Sequence, residues 1–220
     1  MTGKPDRMVA TEKGTRTVGS EKVARMVSVQ ADSLDSVGHF KMLTASVVPR
    51  PIAWTSTLSR ASVPNLAPFS FYTVVSTTPP MVALTLERAS SGGFKDTQRN
   101  IEETGEFVVN VVSSDLAEQM SRTSAESAAD IDEFQLAGVE PAPSLHLKAP
   151  RVAAARISME CTLHSVLRPG SDSVLIGRIE IFHIAEDLIT PYGHIDIDGL
   201  EVIGRVDSRY IRVQSAFRLP

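Results

Sequence analysis

Between Arg50 and Glu87 the chain carries a single charged residue, Arg60, and Pro51, Pro64, Pro68, Pro79 and Pro80 interrupt that stretch. Pro49 and Pro51 fix an extended backbone around Arg50, and Thr77-Thr-Pro-Pro80 breaks the chain before the next strand. Four of the chain's twelve aromatics, Trp54, Phe69, Phe71 and Tyr72, fall inside it, among many hydroxyl residues. Neutral donors beside the fixed cation of Arg50 suit an anionic group, and flat apolar surface nearby suits a ring.

The remaining pattern extends this reading. Ile52 to Leu58 alternates as a strand with Ile52, Trp54, Ser56 and Leu58 on one face. Ser59 to Ser62 is a hairpin turn, and Val63 to Thr73 begins the return. Met81 to Leu86 and Phe107 to Val112 are aliphatic, β-branched strands. Between them Asp96 or Thr97 caps a helix running to about Glu103, which Gly105 stops. A short helix or turn is expected over Leu34 to Leu43, a second through Met120 after Asp115, and a third near Asp132 to Leu136. Arg151 to Val166 and Val174 to Ile184 are the next strands, with edge pieces at His194 to Asp196 and Val202 to Gly204. Strands without strict β-α-β alternation favour a mainly β domain with a few helices, its sheet antiparallel and closed or nearly closed.

At 220 residues the chain can bury a full core. The first 26 residues hold six lysines and arginines against three acids and lack apolar periodicity. We therefore expect a mobile charged tail over residues 1–30 and one folded domain over 31–220. A net charge of -4 argues against a nucleic-acid surface, and no window approaches the ~18 apolar residues of a membrane helix. Cys161 is the only cysteine, which excludes an intrachain disulfide and fits a cytoplasmic protein. No dinucleotide fingerprint, P-loop, nucleophile elbow or zinc-protease motif is present, and the five histidines are scattered. No metal site is expected.

The positive signal is a series of separate pieces. Each has a plain structural reading when taken singly: strand threonines, a proline-shaped loop, a routine helix start. Together they make a site for a phosphomonoester, which offers close to two negative charges and three acceptor oxygens. Arg50 can fork onto phosphate, Lys95 adds a point charge, and Ser56, Thr57 and Thr97 can donate hydroxyls beside a helix start. Asn65 to Ser70 can present donors and acceptors along a heterocycle edge.

Arg50-Pro-Ile-Ala-Trp-Thr-Ser-Thr57, Asn65-Leu-Ala-Pro-Phe-Ser-Phe71, Lys95-Asp-Thr97, Arg99 to Asn110 and Asp132-Glu-Phe134 resemble, in that order, the flavin reductase-like family of the flavoredoxin type. The resemblance runs from about Phe40 to Tyr210. It implies an FMN-binding split β-barrel acting as a homodimer. It also implies that Arg50, Ser56, Thr57, Lys95 and Thr97 line the phosphate end, that Thr55, Asn65, Ala67 and Ser70 lie along the ribityl chain or ring, and that Asp96 is a further cofactor-binding residue. The family often has a glycine pair after the late arginine, where this chain has Asp207 and Ser208. The expected activity is transfer of reducing equivalents from a transient NAD(P)H to flavin or another acceptor, with no catalytic residue assigned. A non-enzymatic FMN carrier or flavin store is the alternative, and a β-barrel interaction module a third.

Overall fold

The computed structural model describes residues 24–213 and residue 219. Most of the charged N-terminal segment, residues 1–23, therefore lies outside the described residues. Contacts divide the chain into two units, one ending at Val47 and the other beginning at Val48. The described part of the first unit contains helix α1 (Ser36–Ser46), somewhat longer than the short element expected. Its start is fixed by Asp35, whose carboxylate accepts the Gly38 N–H at 2.7 Å.

The second unit is built on a seven-stranded antiparallel sheet. Its strands are β2 (Ala53–Leu58), β3 (Pro64–Phe69), β4 (Tyr72–Thr77), β5 (Pro80–Leu86), β6 (Glu106–Val111), β9 (Ile157–Leu167) and β10 (Ser173–Ile184). They run in the order β3-β2-β6-β9-β10-β5-β4. Strands β3 and β4 are thus the two outer edges, yet only Ser70 and Phe71 separate them in sequence. A connection that short cannot cross a flat sheet of seven strands at about 4.8 Å spacing, so the sheet curls until its edges meet. No ladder joins β3 to β4, which leaves an open seam: the fold is an antiparallel split β-barrel.

Side chains alternate across that wall. Ala53, Phe69, Leu84, Phe107, Val109, Cys161 and Leu175 pack together on one face, while Ile52, Trp54, Leu66, Val112 and Val152 pack on the other. Helices α3 (Ala117–Arg122) and α4 (Glu133–Ala137) cover the second face with Met120 and Phe134. The single-sided strand expected over Ile52–Leu58 is therefore buried on both faces from Ala53 to Thr57, because one face meets the barrel interior and the other meets helices. Burial of each large side chain stabilises the fold by about 1.5–3 kcal/mol.

Smaller elements complete the unit. Strand β1 (Arg50–Pro51) pairs with β11 (Ile203–Val206), which pairs with β12 (Arg209–Arg212). A two-residue ladder joins β7 (Pro141–Ala142) to β8 (Arg151–Val152), and α5 (Ile197–Leu200) precedes β11. Two expectations change, and one strand is additional. The return strand over Val63–Thr73 is two strands, because the chain crosses the seam at Ser70 and Phe71. The strand expected over Arg151–Val166 is divided by a turn at residues 153–154. Strand β12 carries no alternation in burial that a sequence reading could use, since all its residues are exposed.

Candidate functional site

Helix α2 (Asp96–Thr104) begins at the mouth of a cavity of about 220 Å³. Its N-cap residue is Lys95, with no side-chain cap, and Gly105 ends it in the left-handed conformation at φ 73°. Neither Asp96 nor Thr97 caps the helix as expected, because each is committed elsewhere. The Asp96 carboxylate pairs with Arg99, and the Thr97 hydroxyl donates to Asn65 Oδ1 at 2.7 Å. The first backbone N–H groups of α2 are therefore left without side-chain acceptors. Among the described residues, no carboxylate lies within ion-pair distance of the Lys95 ammonium, which lines the same cavity. An uncapped helix start beside an unpaired cation is electrostatically prepared for an anion.

Behind this start runs a directed chain of hydrogen bonds. Asn100 Nδ2 donates to Thr57 Oγ1 at 3.0 Å, and Thr57 donates to Asn65 Oδ1 at 3.1 Å. Asn65 Nδ2 then donates to Glu133 Oε2, which also accepts the Leu66 N–H at 2.6 Å. Glu133 is 5 % exposed and lines the cavity from α4. Burial pushes its carboxyl up to about 7, against the opposing bonds from Leu66 and Asn65. Asp132 holds α4 in place, accepting from the N–H groups of Phe134 and Gln135.

Of the ten residues expected in the site, Asn65, Ala67, Lys95, Asp96 and Thr97 line the cavity. Thr55, Ser56 and Thr57 are fully buried in β2 behind it. Thr57 reaches it through Asn65. Ser56 donates its hydroxyl proton to the Pro150 carbonyl at 2.5 Å and accepts from Asn110, and Thr55 donates to the Ala53 carbonyl. Arg50 and Ser70 form a separate patch: Arg50 Nε donates to Ser70 Oγ at 3.4 Å and Nη2 to the Asp207 carbonyl at 3.2 Å. The Arg50 guanidinium also lies 5.7 Å from the Phe71 ring centre.

Glu133 itself was legible only as part of the Asp132-Glu-Phe134 run. No local pattern showed that its carboxylate would meet Asn65, which is distant in sequence. Glu126 is a second such residue. Its carboxylate lines the cavity and accepts the Ser90 N–H at 3.0 Å, and the Ser90 hydroxyl and N–H hold it below the usual carboxylate range. Phe94 and Phe69 supply apolar lining. The whole offers two cations, Lys95 and the Asp96-paired Arg99, with the carboxylates of Asp96, Glu126 and Glu133, uncapped backbone donors, hydroxyls and aromatic surface. At about 220 Å³ it is smaller than the roughly 300–1,000 Å³ typical of small-molecule pockets.

Comparison with known proteins identifies the family. An uncharacterised protein of Bacillus subtilis, YwrF, is 35 % identical over 202 residues, which is 88 % of this chain and 98 % of that one. Nitrilotriacetate monooxygenase component B from Bacillus cereus superposes with a TM-score of 0.86 at 32 % identity, covering 90 % of this chain and all of the other. The 2-nitrobenzoate 2-nitroreductase NbaA of Pseudomonas fluorescens gives 0.81 at 28 % identity, covering 88 % and 95 %. The model of the flavin reductase like domain matches residues 45–198, which contain the cavity and nearly all of the barrel, and the chain accordingly belongs to the flavin reductase-like family.

Proposed function

We propose that the protein is an FMN-dependent oxidoreductase that passes reducing equivalents from NAD(P)H to flavin or to another acceptor. The observation that carries this reading is the unpaired Lys95 ammonium beside the uncapped start of α2, inside the cavity of a flavin reductase-like chain. A flavin's terminal phosphate is the group such a cluster of donors favours. Similarity to a monooxygenase component and to a nitroreductase supports a redox role.

In this reading Lys95 and the first N–H groups of α2, that of Thr97 among them, bind the phosphate, with the Thr97 hydroxyl held on Asn65 and Asp96 paired with Arg99. Asn65 and Ala67 lie along the rest of the nucleotide, Thr57 fixes the Asn65 amide, and Thr55 and Ser56 keep β2 packed behind them. Arg50, Ser70 and Phe71 form a second flank for the ring or for a partner subunit. Flavin, when bound, accepts hydride and releases electrons singly or in pairs. The chain's own part is placement and exclusion of water. Phe69 and Phe94 supply the apolar wall, and Glu126, bonded to Ser90, joins the segment around Ala89 and Ser91 to that of Ser124 to Ser127.

We infer a homodimer on two grounds. One chain's cavity is smaller than is typical of small-molecule pockets, and Val74, Val75, Phe182, Tyr192 and Tyr210 are exposed.

The test is a visible spectrum of purified protein with mass identification of any released flavin. Titrations with FMN and riboflavin, and NADH or NADPH oxidation with FMN or FAD, complete it. Lys95→Ala should weaken FMN by about 10–100-fold, the worth of a charge-assisted bond, and leave riboflavin nearly unchanged. Equal losses would remove Lys95 from the phosphate role. Tight FMN with no NAD(P)H oxidation would make the protein a carrier, and failure to bind any flavin would overturn the reading.

A further inference from the structure

The hydrogen-bond chain through the cavity wall has a direction and an end. Asn100 donates to Thr57, Thr57 and Thr97 donate to Asn65, and Asn65 donates to Glu133. Both lone pairs of Asn65 Oδ1 are thereby used, so this amide has no acceptor left for a ligand. Glu133 receives both of its protein bonds, from Asn65 and from the Leu66 N–H, on Oε2. Oε1 takes none from the described residues, and it is not an enclosed atom: the only buried polar side-chain atom without a partner among them is Gln119 Oε1. A side chain 95 % removed from solvent thus keeps one carboxylate oxygen accessible, and Glu133 lines both this cavity and a smaller adjoining one that shares Asn65, Asp96 and Arg99.

We propose that Glu133 is a ligand-positioning residue whose Oε1 accepts a hydrogen bond from a hydroxyl of the flavin's ribityl chain. The inference rests on the flavin reading above and deepens it. Placement selects the polyol over the ring. Glu133 is joined to Thr97, at the proposed phosphate end, through the single side chain of Asn65, and the polyol is the part of the nucleotide next to the phosphate. Chemistry selects a donor. A carboxylate oxygen only accepts, and a ligand that strips its water without replacing the bond loses affinity, so a ligand O–H there is favoured over bare apolar surface.

Protonation sets a sign. The ligand-free carboxyl titrates near 7, and a bound hydroxyl donor favours its ionised form. Affinity should therefore rise with pH through that region and level off above it. The charged groups facing this wall are Asp132 on α4, Lys95, Asp96, Arg99 and Glu103 on α2, and Glu126 on the preceding loop. Asp132 raises the Glu133 carboxyl further, and its effect is already included in that direction.

The experiment uses the full chain and its Glu133→Gln variant, titrated with riboflavin and with lumiflavin at pH 6 and pH 8. Neither ligand carries a phosphate whose own titration near pH 6 would confuse the profile. Wild-type protein should bind riboflavin about 5-fold more tightly at pH 8 than at pH 6, since a charge-assisted bond is roughly twice as strong as a neutral one. Glu133→Gln should bind riboflavin about 10-fold more weakly at pH 8 and lose the pH dependence, while lumiflavin, which has no polyol, binds both proteins alike. A merely structural Glu133 would instead weaken both ligands equally, and that result overturns the proposal. So does a flat wild-type riboflavin profile, which needs no variant to fold. Wild-type protein that binds no flavin would bring down the functional reading and this inference together; flavin bound without these differences would bring down this inference alone.

Discussion

Two buried carboxylates, Glu133 and Glu160, show how the same residue type takes opposite roles when its donors differ. Glu160, fully buried on β9, accepts the N–H groups of Leu145, His146 and Leu147 at 2.6, 2.8 and 3.2 Å and the His183 ring at 2.6 Å. Burial alone would raise its carboxyl, but those donors outweigh it and hold it below the ordinary value. Glu133 has only two neutral donors, and burial wins. The signs for stability follow. A depressed carboxylate contributes stability that is present above the unfolded value of 4.5 and lost as pH falls below it, and the raised Glu133 makes ligand-free protein less stable as pH climbs from 4.5 to about 7. Glu160→Gln should cost about 1–3 kcal/mol at neutral pH by denaturant unfolding, with hydrogen exchange rising at Leu145, His146 and Leu147. Unchanged exchange there would mean that those three N–H groups do not depend on the carboxylate. Asp207 answers a question of the same scale. It takes a left-handed φ of 51° in the β11–β12 turn, a conformation that glycine adopts freely and aspartate tolerates. The Asp207–Ser208 pair therefore closes the two-residue β11–β12 turn without a glycine.

Strands and helices carry constraints that no single residue shows. On β10, Gly177 faces the Phe107 ring of β6 inside the barrel, and an added Cβ would stand 2.2 Å from the Phe107 Cζ. The ladder slips between Ile176 and Gly177, so the strand bends where the ring needs room. Gly177→Ala should destabilise the protein by about 1–3 kcal/mol, read as a lower Tm, with flavin affinity affected only through folding. A variant as stable as wild type would show that the barrel interior has slack. Helix α2 illustrates the reverse case. Its extent was legible from Asp96 to Gly105, but its cap was not, because Asp96 and Thr97 are both good caps in isolation and both are drawn off by tertiary partners.

For the molecule as a whole, closure of the sheet turns a sequence-local segment into a site. Ser70 and Phe71 tie the outer edges together, so β3 lies beside the start of α2 and α4, and residues from Asn65 to Glu133 come to share one wall. The same closure leaves Val74, Val75, Phe182 and Tyr210 exposed on the described surface. Light scattering should return twice the 23.8 kDa chain mass; a monomer that still binds FMN fully would remove the partner from the site.

Pattern alone was enough for the short β-branched strands, the helix from Asp96 to Gly105, and the ordered series of pieces that marks the family, because each depends on neighbours in the chain. Periodicity and turn chemistry are local, and they survive in any arrangement of the rest. Which hydroxyls face a ligand was not local. Ser56 and Thr57 look like donors to an anion until packing commits Ser56 to the Pro150 carbonyl and Thr57 to Asn65. Glu133 looks like a routine helix-start acid until burial and two donors leave one oxygen accessible. A side chain's free hydrogen-bonding capacity is what remains after all its neighbours have taken their share, and only the folded chain assigns those neighbours.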